Sequence, residues 1–179
     1  MLTLDQPNYY AHRASEYEKV YQIPAEQPDL AKLYGQAQAI FKNKKVLEIA
    51  CGTGIWTQAI AETAHAVLAT DINEPMLHIA RQKEYPRQNM VFETGDMYDL
   101  QVHDRPFDAL FGGFIWSHVS RHELENWLDS LHRLLEPGSR VVFVEAASSP
   151  EKAPPFLKLT STGTLSRSDN SKTAASIWS

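Results

Sequence analysis

The chain has 179 residues, of which 43% are hydrophobic and 22% are charged. This composition is typical of one globular domain and excludes a disordered chain. The formal net charge of −5 and the lack of a basic stripe argue against a nucleic-acid partner. No apolar run approaches the roughly 18 residues of a membrane span, and the first residues lack the pattern of a secretory signal. The single cysteine excludes an intrachain disulfide, so we expect a cytoplasmic protein that acts away from membranes.

Changes in composition divide the chain into three regions. Residues 1–43 are polar and rich in tyrosine, and their pattern predicts a helical cap. Residues 44–149 alternate apolar runs with helical segments and form the predicted core. Residues 150–179 are rich in Ser, Thr, Lys and Pro and show almost no periodicity, so an irregular tail is expected there.

Apolar runs in the core predict five strands, over residues 45–50, 66–70, 90–94, 107–111 and 140–145. Two helices are predicted over residues 55–64 and from an N-cap at Asn73 to residue 83. A third helix follows the S-x-x-E capping box of Ser120 and Glu123 and ends at Pro137-Gly138. This alternation predicts a doubly wound parallel α/β sheet. Ligands bind such sheets at the carboxyl ends of the strands, so the candidate loops are residues 50–56, 71–75, 95–99 and 112–120.

The first of these loops contains a G-x-G turn at Gly52 and Gly54. Glycines allow a tight turn and a close backbone approach to a ligand, with the N–H groups of the next helix facing it. Asp71 ends the second strand, 17 residues after Gly54, where an acidic side chain can accept both ribose hydroxyls. The combination predicts a cofactor that contains a nucleoside.

Two residues argue against a dinucleotide cofactor. A dinucleotide turn places a third glycine where this chain has Thr57. Glu48 lies four residues before Gly52 in an apolar strand, where a buried carboxylate is costly without a cationic or hydrogen-bonding partner. It suits a cofactor with an ammonium group and a sulfonium better than a pyrophosphate.

The segment VLEIACGTG, residues 46–54, resembles the first motif of class I S-adenosylmethionine-dependent methyltransferases. The segments TDINEPML, GDMYDL, FDALFGGFIWSHVS and LLEPGSRVVFVE are similar to the later motifs of that family, in the same order. The resemblance covers residues 44–146. It implies a Rossmann-like sheet of about five strands, and we expect the tail to lack the family's usual C-terminal antiparallel strand pair.

The resemblance also implies S-adenosylmethionine as the cofactor and assigns residues to its parts. Asp71 corresponds to the ribose-binding acid, Asp96 lies near the adenine amino group, and Met97 packs beside the ring. The methionine part is expected near Glu48 and the glycine turn. The cofactor-binding residues expected in this way are Glu48, Ala50, Gly52, Gly54, Asp71, Ile72, Met76, Asp96, Met97 and Tyr17.

The N-terminal segment YYAHRASEYEKVY, residues 9–21, is similar to the opening helix of small-molecule methyltransferases of the quinone-biosynthesis-like group. In that group the helix folds over the cofactor. Tyr10, Arg13, Tyr17 and Tyr21 recur at a spacing of three or four, so they share one helix face. That face suits a lid over the cofactor or simple packing on the core, because tyrosine has an apolar body and a polar tip.

His118 follows the fourth strand and is the candidate general base toward a hydroxyl acceptor, although a structural histidine is also compatible with this place. His118 and His122 do not suggest a metal site, because the predicted capping box leaves His118 outside the helix. Cys51 beside the glycine turn is expected to pack rather than to act as a nucleophile. Trp116 suits an acceptor pocket or the core.

The function that these features predict is transfer of a methyl group from S-adenosylmethionine to a small-molecule acceptor by direct displacement. The alternatives are a catalytically silent or truncated S-adenosylmethionine-binding protein and an NAD-dependent oxidoreductase. A nucleic-acid or protein-amide methylase is disfavoured, because Gly112-Gly113-Phe114-Ile115 replaces the Asn/Asp-Pro-Pro-aromatic signature of those enzymes. The acceptor and the oligomeric state stay open.

Overall fold

A computed structural model describes Glu18 and residues 27–103, 106–146, 157–159, 165–167 and 173–178. Helices and strands alternate along these residues. The helices are α1 (Gln27–Phe41), α2 (Ile55–Ala61), α3 (Glu74–Gln82) and α4 (Leu124–His132), and a 3-10 turn spans Trp116–His118. The strands are β1 (Lys45–Ile49), β2 (Ala66–Asp71), β3 (Met90–Thr94), β4 (Phe107–Gly113), β5 (Leu135–Ala146), β6 (Leu157–Leu159), β7 (Leu165–Arg167) and β8 (Thr173–Trp178).

The main sheet has the strand order β3-β2-β1-β4-β5-β8. Its first five strands are parallel, which confirms the predicted Rossmann-like, doubly wound core. The chain runs outward from β1 to β3 on one side and restarts at β4 on the other. The carboxyl ends of β1 and β4 therefore form the topological switch point, where sheets of this kind bind ligands.

Helices cover both faces of the sheet because alternate residues of each strand point to opposite faces. Val46 of β1 belongs to a buried cluster with Phe41 of α1 and Ile60 of α2. The next residue, Leu47, belongs to a second cluster with Trp127 and Leu131 of α4. The two apolar layers fix the sheet between the helices and leave its carboxyl edge open for the site.

Two sequence predictions around α4 are wrong. The Ser120 hydroxyl oxygen accepts a hydrogen bond from the His122 N–H at 3.4 Å, not from Glu123, and the N-cap of α4 is Glu123 itself. Pro137-Gly138 does not end a helix, because α4 already ends at His132 and both residues lie within β5. The register between β4 and β5 shifts there, and Gly138 has φ +82°, so the expected turn is present as a bulge inside the strand.

The prediction of an irregular tail is also wrong for residues 173–178. Strand β8 pairs antiparallel with β5 over six residues, from Val141 opposite Trp178 to Ala146 opposite Thr173. Strands β6 and β7 pair with each other in a separate two-stranded sheet. The main sheet thus carries one antiparallel strand after its five parallel strands, and the described residues do not add the family's usual C-terminal antiparallel pair to it, as expected. The exposed backbone N–H and C=O groups on the edge of β5 favour pairing with a further strand. This pairing is made by the backbone, so the amino-acid composition of the tail is a poor predictor of it.

Among the helices that the structure describes, none has the length and apolar content to cross a bilayer.

Candidate functional site

A cleft of ≈ 240 Å³ opens at the carboxyl edge of the sheet, at the switch point between β1 and β4. Thirteen of its fourteen lining residues come from the four loops that the sequence singles out, and Met76 adds a side chain from α3. The lining residues are Ala50, Gly52, Asp71, Ile72, Asn73, Met76, Gly95, Asp96, Met97, Tyr98, Gly113, Phe114, Ile115 and His118. The structure therefore brings the predicted loops together around one cavity.

The turn after β1 alternates left-handed residues with ordinary ones. Ala50, Gly52 and Gly54 have φ values of 51°, 57° and 78°. Glycine adopts this conformation freely, whereas an L-residue with a Cβ is disfavoured by roughly 1–2 kcal/mol. Ala50 is therefore a strained residue directly on the wall of the cleft. Ala50 keeps this strained conformation because the turn is fixed at one end by β1 and at the other by α2.

Gly54 is packed too closely for a side chain. A Cβ at this position would lie 2.5 Å from the hydroxyl oxygen of Tyr85 and 3.1 Å from the Cβ of Ala80. The Tyr85 hydroxyl donates a hydrogen bond to the Ala80 carbonyl oxygen at 2.9 Å. Burial raises the pKa of Tyr85, and the charge of Glu48 adds to that shift. Tyr85 thus fixes the outer side of the glycine turn as a neutral phenol.

Asp71 connects the ends of β1 and β2. Its two carboxylate oxygens accept the backbone N–H groups of Gly52 and Asn73, each at 2.8 Å. Burial raises the pKa of Asp71, and the two N–H donors oppose that rise. A carboxylate has about four acceptor positions, so two remain for a ligand in the cleft. Asp71 is therefore held rigidly and can still accept hydroxyl groups.

Glu48 lies beneath the turn and does not line the cleft. It is 1% exposed, and among the described residues its Oε2 atom has no hydrogen-bond partner. Burial raises the pKa of Glu48 to about 8, the Thr57 side chain opposes this rise, and the charge of Asp71 adds to it. Thr57, which replaces the third glycine of a dinucleotide turn, is fully buried on α2. The free protein therefore holds Glu48 as a neutral acid at neutral pH.

The wall of the cleft that follows β2 and β3 has apolar side chains, and the segment after β3 makes a tight turn. Ile72 is 45% exposed and Met97 half-buried on this wall. Asp96 shapes the segment, because its Oδ1 atom accepts the Tyr98 N–H at 2.9 Å and its carbonyl accepts the Asp99 N–H at 3.0 Å. An exposed aliphatic side chain and a methionine on the same wall are suited to contact a flat apolar ring.

The opposite wall follows β4. Phe114 has φ 58°, and its N–H donates to the Val144 carbonyl oxygen at 2.7 Å, which fixes the bend after the strand. The 3-10 turn then brings half-buried His118 to the cleft, and the His118 carbonyl oxygen accepts the Tyr98 hydroxyl at 3.5 Å. Trp116 does not line the cavity; its ring packs on Trp127 and Phe143.

Most of the residues expected to bind the cofactor lie on this cleft, and the exceptions have separate reasons. Glu48 lies beneath the turn, and Gly54 is part of the turn but does not line the cleft. Tyr17 is outside the described residues, as is the rest of residues 9–21 apart from Glu18. The cleft residues found in agreement with the sequence are Ala50, Gly52, Asp71, Ile72, Met76, Asp96 and Met97, together with His118.

Several lining residues have no prediction behind them. The sequence predicts Asn73 only as an N-cap, and it assigns no role to Tyr98 or Phe114 within the segments that resemble the family. Phe114 reaches the cleft because of its left-handed backbone, which a sequence does not reveal for a non-glycine residue. For Tyr98 the sequence offers one signal, namely its place beside Met97 in the loop of residues 95–99.

Neither nucleophilic nor metal chemistry finds support in the described residues. Burial raises the pKa of the Cys51 thiol well above its usual value, which keeps the sulfur protonated. Within the described ranges, no group of three or more His, Cys, Asp or Glu side chains is arranged to hold a metal ion.

Comparison with known proteins identifies relatives of this core. A family model described as a methyltransferase domain matches residues 46–138. Demethylmenaquinone methyltransferase of Staphylococcus epidermidis is 33% identical over 109 residues, which are 59% of this chain and 44% of that protein. The same enzyme of Tropheryma whipplei is 34% identical over 116 residues, which are 65% and 47% of the two chains. The chain thus spans less than half the length of these curated relatives.

Solved structures resemble the fold over most of the chain. A DhpI–SAH complex superposes with a TM-score of 0.71 and 28% identity, covering 90% of this chain and 76% of that one. The N-methyltransferase NodS from Bradyrhizobium japonicum, in complex with S-adenosyl-L-homocysteine, has a TM-score of 0.67 over 80% and 74% of the chains. Its identity of 15% supports the similarity of the fold alone.

Proposed function

The chain belongs to the methyltransferase domain family, and we propose that it transfers a methyl group from S-adenosylmethionine to a small-molecule acceptor by direct displacement. The observation that carries the proposal is the juxtaposition of the Asp71 carboxylate, the left-handed turn at residues 50–54 and the apolar wall at Ile72 around one cleft. These three features meet at the switch point, where sheets of this kind bind their ligands.

The residues present fit the cofactor. Asp71 retains acceptor positions for two ribose hydroxyls, and its two backbone donors hold the carboxylate in place. Ile72 and Met97 offer apolar contacts to the adenine ring, and Asp96 is exposed beside them for its amino group. Met76 and Ala50 complete the wall toward the turn.

The methionine part is assigned to the turn at Gly52 and Gly54, with Glu48 below it. Glu48 is a neutral acid in the free protein because burial raises its pKa to about 8. An ammonium group close to this carboxyl favours the ionised form, since opposite charges within a few ångströms lower the pKa of an acid. We therefore assign Glu48 an electrostatic role toward the cofactor from beneath the turn, and a contact between Tyr17 and the cofactor stays a prediction from the family resemblance.

The bound cofactor supplies a methyl group on a sulfonium that an acceptor nucleophile can displace. The chain contributes orientation and exclusion of water, and good alignment is worth about 7–11 kcal/mol of the barrier. An oxygen or carbon acceptor also has to lose a proton. His118 lies on the cleft wall opposite Ile72 and is the residue we assign to that step as general base.

Two observations support a small-molecule acceptor. The curated relatives are demethylmenaquinone methyltransferases. Phe114 and Ile115 also give the wall that follows β4 an aromatic and apolar character. A flat, reduced quinone is the acceptor class that agrees with both observations. A cytoplasmic location stays a prediction that follows from the charge and the single cysteine.

The test is a turnover assay with S-adenosylmethionine and a reduced naphthoquinone that lacks its ring methyl group. Mass spectrometry should detect S-adenosylhomocysteine and a product heavier by one methyl group in equal amounts. His118→Ala should lose product, whereas His122→Ala, which removes an exposed histidine outside the cleft, should retain it. Cofactor binding without turnover of any small acceptor would support the catalytically silent alternative. Binding of NAD in place of S-adenosylmethionine would support the oxidoreductase.

A further inference from the structure

Trp127 does not line the cleft, but it contacts both of the segments that form its walls. The side chain is 2% exposed and comes from α4, which packs on the opposite face of the sheet from α2. Its indole N–H donates a hydrogen bond to the carbonyl oxygen of Met97 at 2.9 Å. A tryptophan that is this deeply buried usually needs a partner for its N–H, and here the partner is the backbone of a cleft loop.

The same indole ring packs against residues from both sides of the site. Its centroid is 6.4 Å from the ring of Tyr98 on the Met97 side. On the other side it is 6.1 Å from the ring of Trp116, in an edge-to-face arrangement, and Trp116 begins the turn that carries His118. Phe143 of β5 supports the ring from the sheet at 5.6 Å.

These contacts connect one buried side chain to two loops of the site. Segment 95–98 and turn 116–118 follow different strands, and the Tyr98 hydroxyl of the first donates a hydrogen bond to the His118 carbonyl oxygen of the second at 3.5 Å. Trp127 fixes the first by a hydrogen bond and the second by ring packing. The spacing of the two walls therefore depends on the position of the Trp127 ring.

We propose that Trp127 is a positioning residue that sets the adenine-side segment at Met97 and the acceptor-side turn at Trp116 at a fixed separation. This inference rests on the proposed function, because it takes Met97 as the neighbour of the adenine ring. The hydrogen bond orients the Met97 peptide, and the side chain of Met97 follows its own backbone. The ring holds the turn at Trp116 whether or not the hydrogen bond is made.

The two contacts can be separated by substitution. Trp127→Phe removes the indole N–H and leaves an aromatic ring in the core. The matched control is Trp56→Phe, because Trp56 is 4% exposed and, within the described residues, its indole nitrogen has no hydrogen-bond partner. Both variants make the same chemical change in a buried position, but only Trp127→Phe deprives a cleft loop of a donor.

The expected result is a selective loss of cofactor affinity. In calorimetry with S-adenosylhomocysteine, the Kd of Trp127→Phe should rise by about threefold to tenfold, the usual consequence of losing one neutral hydrogen bond. The Kd for 5′-methylthioadenosine should rise by the same factor, because that ligand retains the adenine side. In the turnover assay the KM for S-adenosylmethionine should rise while kcat stays within about twofold. A purely structural role would lower the unfolding midpoint without this split.

A measurement on the unsubstituted chain covers the case in which Trp127→Phe does not fold. The indole N–H signals of the four tryptophans are assigned by nitrogen-15 NMR from the Trp→Phe variants that do fold. The Trp127 N–H should exchange with solvent more slowly once S-adenosylhomocysteine is added, and the Trp56 N–H should not change. Unchanged exchange at Trp127, or equal affinity of Trp127→Phe and the unsubstituted chain, would overturn this inference alone. Failure of the unsubstituted chain to bind would overturn the cofactor assignment and the inference together.

Discussion

Replacing Glu48 with glutamine tests the electrostatics of the site without any ligand. Glu48 is 1% exposed, and burial raises its pKa from 4.5 to about 8. Below pH 4.5 the carboxyl is neutral in both the folded and the unfolded chain. As the pH rises toward 8 only the unfolded chain ionises, so the stability that the neutral form contributes is lost.

The size of the effect follows from the same shift. Each pKa unit corresponds to about 1.4 kcal/mol, so Glu48 lowers the free energy of unfolding by about 3 kcal/mol between pH 4.5 and pH 7. Glutamine has nearly the same shape and does not ionise. The stability of Glu48→Gln relative to the unsubstituted chain should therefore increase by about 3 kcal/mol over that interval.

Urea unfolding at a series of pH values measures the difference between the two chains. The control is Glu93→Gln, because Glu93 is an exposed carboxyl on β3 and its replacement should leave the pH dependence of stability nearly unchanged. The buried-acid account would be refuted by a Glu48→Gln advantage that stays constant from pH 4.5 to pH 8. It would also be refuted by an advantage that shrinks as the pH rises.

Three further predictions concern other parts of the chain. Ala50→Gly should raise the free energy of unfolding by about 1 kcal/mol in urea, because relief of the left-handed strain exceeds the added entropy of the unfolded chain; a loss of stability would show that Ala50 is unstrained. Residues 9–21 should gain protection from hydrogen exchange when S-adenosylhomocysteine binds, and equal protection in both states would favour simple packing over a lid. Deletion of residues 173–179 should lower the free energy of unfolding by more than about 1 kcal/mol, because β5 loses its antiparallel partner; an unchanged value would contradict that pairing.

The core of the fold is predictable because its signals are local. The predicted third strand has the same bounds as β3, and the predicted first and second strands end within one residue of β1 and β2. Short apolar runs, a glycine turn and an acid at the end of β2 each act within a few residues of chain. Gly52 and Asp71 are each marked by such a local signal, and in the fold the Gly52 N–H donates a hydrogen bond to Asp71.

The features that the sequence does not reveal depend on distant contacts. Phe114 adopts a left-handed conformation because the Val144 carbonyl of β5 accepts its N–H. The sequence pattern indicates only that Trp127 is an apolar residue of a helix, because its hydrogen bond to the Met97 carbonyl oxygen depends on the folded chain. Strand β8 pairs through its backbone. Ser120 and Glu123 match the capping-box pattern, but the helix begins after Glu123, so the local signal is present without the geometry.

The most direct test of the account is calorimetric titration of S-adenosylhomocysteine into the unsubstituted chain, Asp71→Ala and Asp108→Ala. Asp108 is a matched control, because its carboxylate also accepts a backbone N–H at 2.8 Å, from Lys45 at the opposite end of the strands. The account predicts one binding site in the unsubstituted chain and a Kd about tenfold to a hundredfold higher in Asp71→Ala, since a charged hydrogen bond contributes about 1.5–3 kcal/mol. The Kd of Asp108→Ala should stay unchanged. Equal affinity of Asp71→Ala and the unsubstituted chain, or no binding to the unsubstituted chain, would contradict the assignment of this cleft to S-adenosylmethionine.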